Sequence, residues 1–189
     1  MSLRGTPPHP VRRRALAAPL AWATLPAAWA AAPAQQSLPP AVVAATGELR
    51  RLGSGTMRWF GLHVYDAALW VRGTRWVAEE PFALDIVYAR DIAGRALAES
   101  SLTEIRRVGQ EDPARSARWL ETLQKLFPDV SRGDRLIGAQ PRPGVASFWL
   151  GDRPLGSVED PGLTRAFFAI WLDPKTREPQ LRQRLLGPA

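Results

Sequence analysis

The sequence predicts an α+β fold: one antiparallel β-sheet backed by helices, an open-faced sandwich. Three observations predict it. Strand-like and helix-like segments come in blocks (strands, helices, strands, helices) and not in the βαβ alternation of a parallel sheet. Tight turns join the later strand-like runs into a meander, notably Gly151-Asp152-Arg153-Pro154. The helical segments carry apolar residues at i, i+3, i+4 and i+7, with proline at the start and glycine or proline at the end.

In chain order, residues 1–34 read as a secretory signal peptide. Arg12-Arg13-Arg14 is a positive n-region, and residues 15–28 form an Ala-rich apolar run with Leu16, Leu20, Trp22 and Leu25. Ala28-Trp29-Ala30 and Ala32-Pro33-Ala34 are small-x-small cleavage patterns. Pro19 and Pro26 interrupt the run, which is short for a membrane span. The expected location is therefore the periplasm, and no long apolar segment follows. Residues 35–46, with Gln, Ser and Pro, are expected to be a loose lead-in. Residues 47–189 are the expected folded domain.

Leu49–Leu52 reads as a short strand. Gly53-Ser54-Gly55 reads as a turn that opens into a long strand, Thr56–Val71, bent near Gly61 or Asp66. Its Phe60, Leu62 and Val64 alternate with Met57, Trp59, His63 and Tyr65, so both faces are apolar and the strand is expected to be central. Phe82–Ala89 is the next strand. A helix over Gly94–Val108 buries Leu97, Ala98, Leu102 and Ile105. A second starts at Asp112-Pro113, buries Ala117, Leu120, Leu123 and Phe127, and stops at Pro128. Strands resume at Gly133–Gly138, Val145–Leu150 and Leu155–Val158. Asp160-Pro161 caps a helix with Leu163, Ala166, Phe167, Ile170 and Trp171 on one face. The last helix, Pro179–Leu186, ends at Gly187.

Charge and composition exclude several functions. The 189-residue chain has a formal net charge of +7. Residues 1–34 hold Arg4, Arg12, Arg13 and Arg14 and no acid, so the remainder carries +3. That makes no case for a nucleic-acid partner, and the cluster Arg50, Arg51, Arg58 and Trp59 reads as a solvated strand end. There is no cysteine, hence no disulfide, thiol nucleophile or thiolate metal site. His63 is the sole histidine beyond the leader, too few for a zinc site of the usual kind. No metal and no cofactor are expected. Gly53-x-Gly55 lacks the rest of a dinucleotide loop, and no Gly-x-Ser-x-Gly elbow is present. The acidic pairs Glu79-Glu80, Glu111-Asp112 and Glu159-Asp160 read as turns and caps. Asp134-Arg135 reads as a fold-defining turn.

Four blocks together resemble the chalcone isomerase-like family, in its bacterial exported branch. They are Gly53–Trp70; Phe82–Arg90 with Asp91-Ile92; Phe127-Pro128-Asp129-Val130 with Gly133-Asp134-Arg135-Leu136; and Ala166–Pro174 with Leu181-Arg182 and Leu185-Leu186-Gly187. The resemblance implies an apolar cleft between sheet and helical layer. Family members divide by function: plant chalcone isomerases close a flavanone ring, and related plant proteins bind fatty acids in the same cleft. Function therefore has to come from the site.

The resemblance also implies an arginine just after the Gly-x-Gly opening, where a desolvated guanidinium meets the ligand's anionic oxygen. An ungapped match puts Met57 there and Arg58 one residue late, which on a strand is the opposite face. A bulge near Gly55 would restore Arg58. The plant enzyme's tyrosine and asparagine on the helical layer fall on 109–112 and 115–119, where neither residue occurs, so isomerase activity is not expected. Its hydroxyl on the penultimate helix corresponds to Thr164. The expected function is non-catalytic binding of a fatty acid or other small amphipathic ligand, with Arg58 at the head, Thr164 adding a hydroxyl, and Met57, Trp59 and Phe167 on the apolar wall. The alternative is a structural or partner-binding envelope protein whose sheet–helix interface is packed solid. An isomerase or lyase with a rebuilt site, drawing on His63, Tyr65, Tyr88 or a carboxylate as general acid or base, is the third reading.

Overall fold

A computed structural model describes residue 1, residues 37–109 and residues 112–187. The expected signal peptide lies, Met1 apart, outside the described residues. The chain divides between Gln36 and Ser37 into two compact units, and every element below belongs to the second.

Six strands form one antiparallel sheet in meander order: β1 (Arg50–Trp59), β2 (Leu62–Val71), β3 (Phe82–Tyr88), β4 (Arg135–Arg142), β5 (Val145–Leu150) and β6 (Arg153–Val158). Between β3 and β4 the chain builds α2 (Gly94–Arg107) and α3 (Ser116–Leu126); α4 (Pro161–Leu172) and α5 (Pro179–Leu186) follow β6. The predicted α+β sandwich is the observed one. Period-2 alternation sorts the sheet into two faces. Leu69, Val71, Phe82, Leu84, Ile86 and Phe148 join the helical layer in the main core, while Trp70, Ala83, Ile137, Ala139 and Trp149 face the other way.

That second face is covered in part by α1 (Pro40–Thr46), through Val42, and by Leu38 just before it. A loose lead-in was expected here. Val42 is fully buried against the sheet, and Pro40 supplies a helix start that needs no N–H. On the same face Arg135 forms a fork with Asp85 across the β3–β4 pair, at 2.8 and 2.6 Å, and also donates to the Ser37 carbonyl. Asp134 accepts from the Ser131 backbone N–H in the turn before β4, as its reading as a turn residue requires.

The opening of the domain differs from expectation. Gly53 and Gly55 lie inside β1, and the long strand is a hairpin folded at Phe60-Gly61, with β1 on the sheet edge. The glycines serve packing: a Cβ on Gly53 would stand 2.0 Å from the Arg184 carbonyl oxygen, and one on Gly55 2.9 Å from Leu181. α5 therefore rests directly on the β1 backbone. The ladder slips once at Leu52 on β1 and once at Val64 on β2, each strand carrying one extra residue.

Helix boundaries are close to those expected. Asp112 does not cap α3 directly; its carbonyl accepts from Arg115 and Ser116, and the helix starts one turn later. Trp119 is buried where Ala117 was expected, because Ala117 faces solvent. The segment Phe127-Pro128-Asp129 closes the start of α2, with Asp129 accepting from the Gly94 N–H at 2.8 Å. Asp160 caps α4 as predicted, accepting from the Gly162 and Leu163 backbone. Its carboxylate also takes the Trp119 indole N–H at 3.0 Å, which ties α3 to α4.

Candidate functional site

A cleft of about 680 Å³ opens between the β1–β3 end of the sheet and the layer formed by α2, α4 and α5. Its apolar wall comes from Met57, Val64, Ile86, Ile92, Leu97, Phe127, Leu136, Phe167, Ile170 and Leu181. The aromatic side chains interlock: Phe167 meets Phe127, Phe148 and Trp171 with ring centroids 5.2–5.9 Å apart. α5 lies against β1 at Gly53 and Gly55, and the cleft lies toward the Met57–Trp59 end of that strand. The slip at Val64 puts both Val64 and Tyr65 on the lining.

Polar groups converge at the mouth. Tyr65 accepts the Trp171 indole N–H at 2.9 Å and meets Tyr88 edge-to-face. Burial pushes the Tyr65 phenol up to about 12, against the hydrogen bond from Trp171, and the charges of Glu178 and Glu104 add to the rise. Tyr88 is pushed further in the same direction, again by burial and then by Tyr65. Both phenols are thus donors at neutral pH and not bases. Ser100 and Ser101 of α2 both donate back to the Leu97 carbonyl, and Thr103 donates to Glu99, leaving their oxygens as acceptors.

Two arginines line the cleft, and neither is Arg58. Arg177 pairs with Glu104 at 2.9 Å and lies 5.0 Å from the centre of the Trp59 ring. Glu104 is held on its other oxygen by Arg107 at 2.6 Å. Arg90, exposed at the rim, has no ion pair or hydrogen bond among the described residues. It follows Tyr88 in the phase of Phe82, Leu84 and Ile86.

The residues singled out in the sequence separate into two groups. Met57, Trp59 and Phe167 line the cleft. Arg58 does not: it is exposed, and its guanidinium reaches only the Gly61 carbonyl, at 3.4 Å. The extra residue of β1 sits at Leu52, before Gly53-x-Gly55, and the slip beside Arg58 adds its residue, Val64, to β2, so Met57 keeps the inward position opposite Tyr65. Thr164 is 1 % exposed in the core and lies outside the lining; its Oγ1 has no hydrogen-bond partner among the described residues. His63 stands beside Asp66, 3.2 Å away, and outside the lining. No group of acidic and histidine side chains among the described residues is arranged to hold a metal ion. Sequence reasoning missed Arg90 and Arg177. Strand parity from Phe82 was the available signal for Arg90; nothing local points to Arg177, which the α4–α5 connection carries to the mouth.

A six-stranded meander with one helical layer and an apolar cleft between them defines an open-faced α+β sandwich. A match to the chalcone isomerase-like family spans residues 30–187, and the chain belongs to that family. Among solved structures it is similar to a fatty-acid binding protein of Arabidopsis thaliana, with a TM-score of 0.60 and 14 % identity over 74 % of this chain and 87 % of that one. At that identity the likeness is one of fold. No curated protein matches the chain.

Proposed function

We propose that the protein binds a fatty acid or a similar amphipathic acid in the sheet–helix cleft, without catalysing a reaction on it. The observation that carries this reading is an apolar cleft of about 680 Å³ with the Arg90 guanidinium, unpaired among the described residues, at its rim. The volume falls in the range of small-ligand sites, about 300–1,000 Å³. Arg90 meets the acidic head and the Tyr88 phenol donates beside it, while Met57, Trp59 and Phe167 contact the chain. The fold shared with a plant fatty-acid binding protein supports the same ligand class. Two features support the absence of chemistry. The phenols hold their protons, so they are no bases, and of the lining carboxylates Asp91, Glu104 and Glu178, Glu104 is paired with two arginines and Asp91 accepts the Arg132 backbone N–H. A packed-solid structural role fits an open cleft poorly.

The reading includes export to the periplasm, which the pattern of residues 1–34 supports; the family match begins only at residue 30. Among the described residues no helix is long and apolar enough to cross a membrane. Calorimetric titration of the delipidated protein with long-chain fatty acids should give saturable heat, a matching adduct in native mass spectra, and weaker binding of the corresponding fatty alcohol. Neither heat nor adduct at any chain length would refute the binding reading. Fractionation and N-terminal sequencing should find a periplasmic chain beginning after Ala30 or Ala34; an intact cytoplasmic chain refutes export.

A further inference from the structure

Large apolar side chains that the fold leaves exposed, Met1 apart, all lie on one hairpin tip among the described residues. Trp59 is 42 %, Phe60 90 % and Leu62 56 % exposed. The tip is also strained. Phe60 and Gly61 are the two central residues of a two-residue turn, with φ of +46° and +80°. Such a turn favours Asn-Gly or Gly-Gly, and a bulky aromatic at positive φ is a rare outlier. Phe60 meets the neighbouring Trp59 ring edge-on at 5.1 Å and leaves nearly all of its surface exposed. A side chain that strains its turn and packs on almost nothing does not serve the stability of the fold.

Within the tip, residues 58–62, Arg58 is the one charged side chain. Arg58 is exposed and has no carboxylate partner among the described residues, and at the same end of the sheet Arg90 has no ion pair or hydrogen bond among them. The acid nearest in sequence, Asp66, is engaged by Thr56 and His63, and Glu104 is shared by Arg107 and Arg177. Three side chains are far too little for a stable protein interface, which needs about 800 Å² per partner. A bilayer surface, in contrast, accepts a small projecting apolar tip, with aromatic rings at headgroup level and arginine against lipid phosphate.

We propose that the β1–β2 tip docks on an anionic lipid bilayer, with Trp59, Phe60 and Leu62 in the headgroup–acyl boundary and Arg58 on the phosphates. Trp59 belongs both to the tip and to the cleft wall, so docking sets the mouth of the cleft against the membrane. The inference stands on the tip and does not need the cleft to be filled.

The chain has no cysteine, so Leu62→Cys takes a single polarity-sensitive fluorophore. Pro143→Cys, on the turn between β4 and β5 at the opposite end of the sheet, is the control. Residues 35–189 suffice, since the second unit contains its own core. Vesicles of phosphatidylethanolamine with phosphatidylglycerol should blue-shift the label at position 62 and leave that at 143 unchanged. Salt and pure phosphatidylcholine should both weaken sedimentation with vesicles. The double change Phe60→Asn with Leu62→Ser should lower vesicle affinity about tenfold or more. Phe60→Asn alone, which installs the favoured Asn-Gly turn, should keep or raise Tm and leave the fatty-acid titration unchanged. An unshifted label at 62, equal binding to neutral and anionic vesicles, or wild-type sedimentation of the double variant overturns docking. Each of these results is read separately from ligand binding in the cleft.

Discussion

Arg90 completes a parity that begins at Phe82. Every second residue from 82 to 88 is buried under the helical layer, and the next in phase emerges at the cleft mouth as a free cation. Arg90→Ala should weaken fatty-acid binding about tenfold, the order of a charge-assisted hydrogen bond, whereas Arg58→Ala should leave it unchanged. Calorimetry on the two variants decides between them. The phenols make a second residue-scale test. The chain has two tyrosines, both in the cleft, so tyrosinate absorbance reports only on them. In the native protein their titration should lie well above the ordinary value of about 10 and return to it in denaturant. A folded pKa raised above the unfolded one contributes stability below the unfolded value and loses it as pH rises. Stability should therefore decline above about pH 10, through about 12 for Tyr65. Tyr65→Phe and Tyr88→Phe should flatten that decline.

At the scale of elements, α5 and β1 are joined through missing side chains. A Cβ at Gly53 falls within 2.0 Å of a backbone oxygen, which cannot swing aside as a side chain would. Gly53→Ala should thus displace α5 and destabilise by about 1–3 kcal/mol, read from the urea midpoint. Unchanged stability would mean that α5 does not rest there. The N-terminus of α4 depends on Asp160 in the same way. Partial burial raises the pKa of its carboxyl, but the Leu163 N–H, the Trp119 indole, the Gly162 N–H and the Arg115 charge together hold it below the usual range. Asp160→Ala should cost about 1–2 kcal/mol near neutral pH. Because the folded pKa is depressed, that advantage is present above the ordinary aspartate value of about 4 and is lost as pH falls further. Denaturation curves of the two proteins should converge in acid.

For the whole molecule, the cleft implies a thermodynamic linkage. A ligand that binds only the folded state at a hundred times its Kd adds about 2.7 kcal/mol of stability. Saturating fatty acid should raise Tm by several degrees, and the rise should be smaller in Arg90→Ala. No shift in the wild-type protein at saturating ligand would contradict a cleft site.

The order of elements, the caps at Asp160 and Gly187 and the apolar faces of α2 and α4 were legible in the sequence, because each depends on residues within one or two turns of chain. Parity alone sends Met57 inward and Arg58 outward, yet the sequence leaves open a bulge that would reverse Arg58, the residue expected at the ligand head. Only the strand pairing, with its extra residues at Leu52 and Val64, decided against it. What the tertiary structure alone decided is where the chain meets itself. Glycine inside Gly53-Ser54-Gly55 looks like a turn until α5, more than a hundred residues later, is seen lying on it. One long strand and a two-residue hairpin carry the same apolar pattern; only pairing of β1 with β2 distinguishes them, and the turn residue Phe60 contradicts local preference. Arg177 reaches Trp59 and Glu104 by long-range packing, and the lead-in becomes a helix because Val42 finds an uncovered sheet face. Local energetics chose the elements; burial between segments distant in sequence chose the cleft.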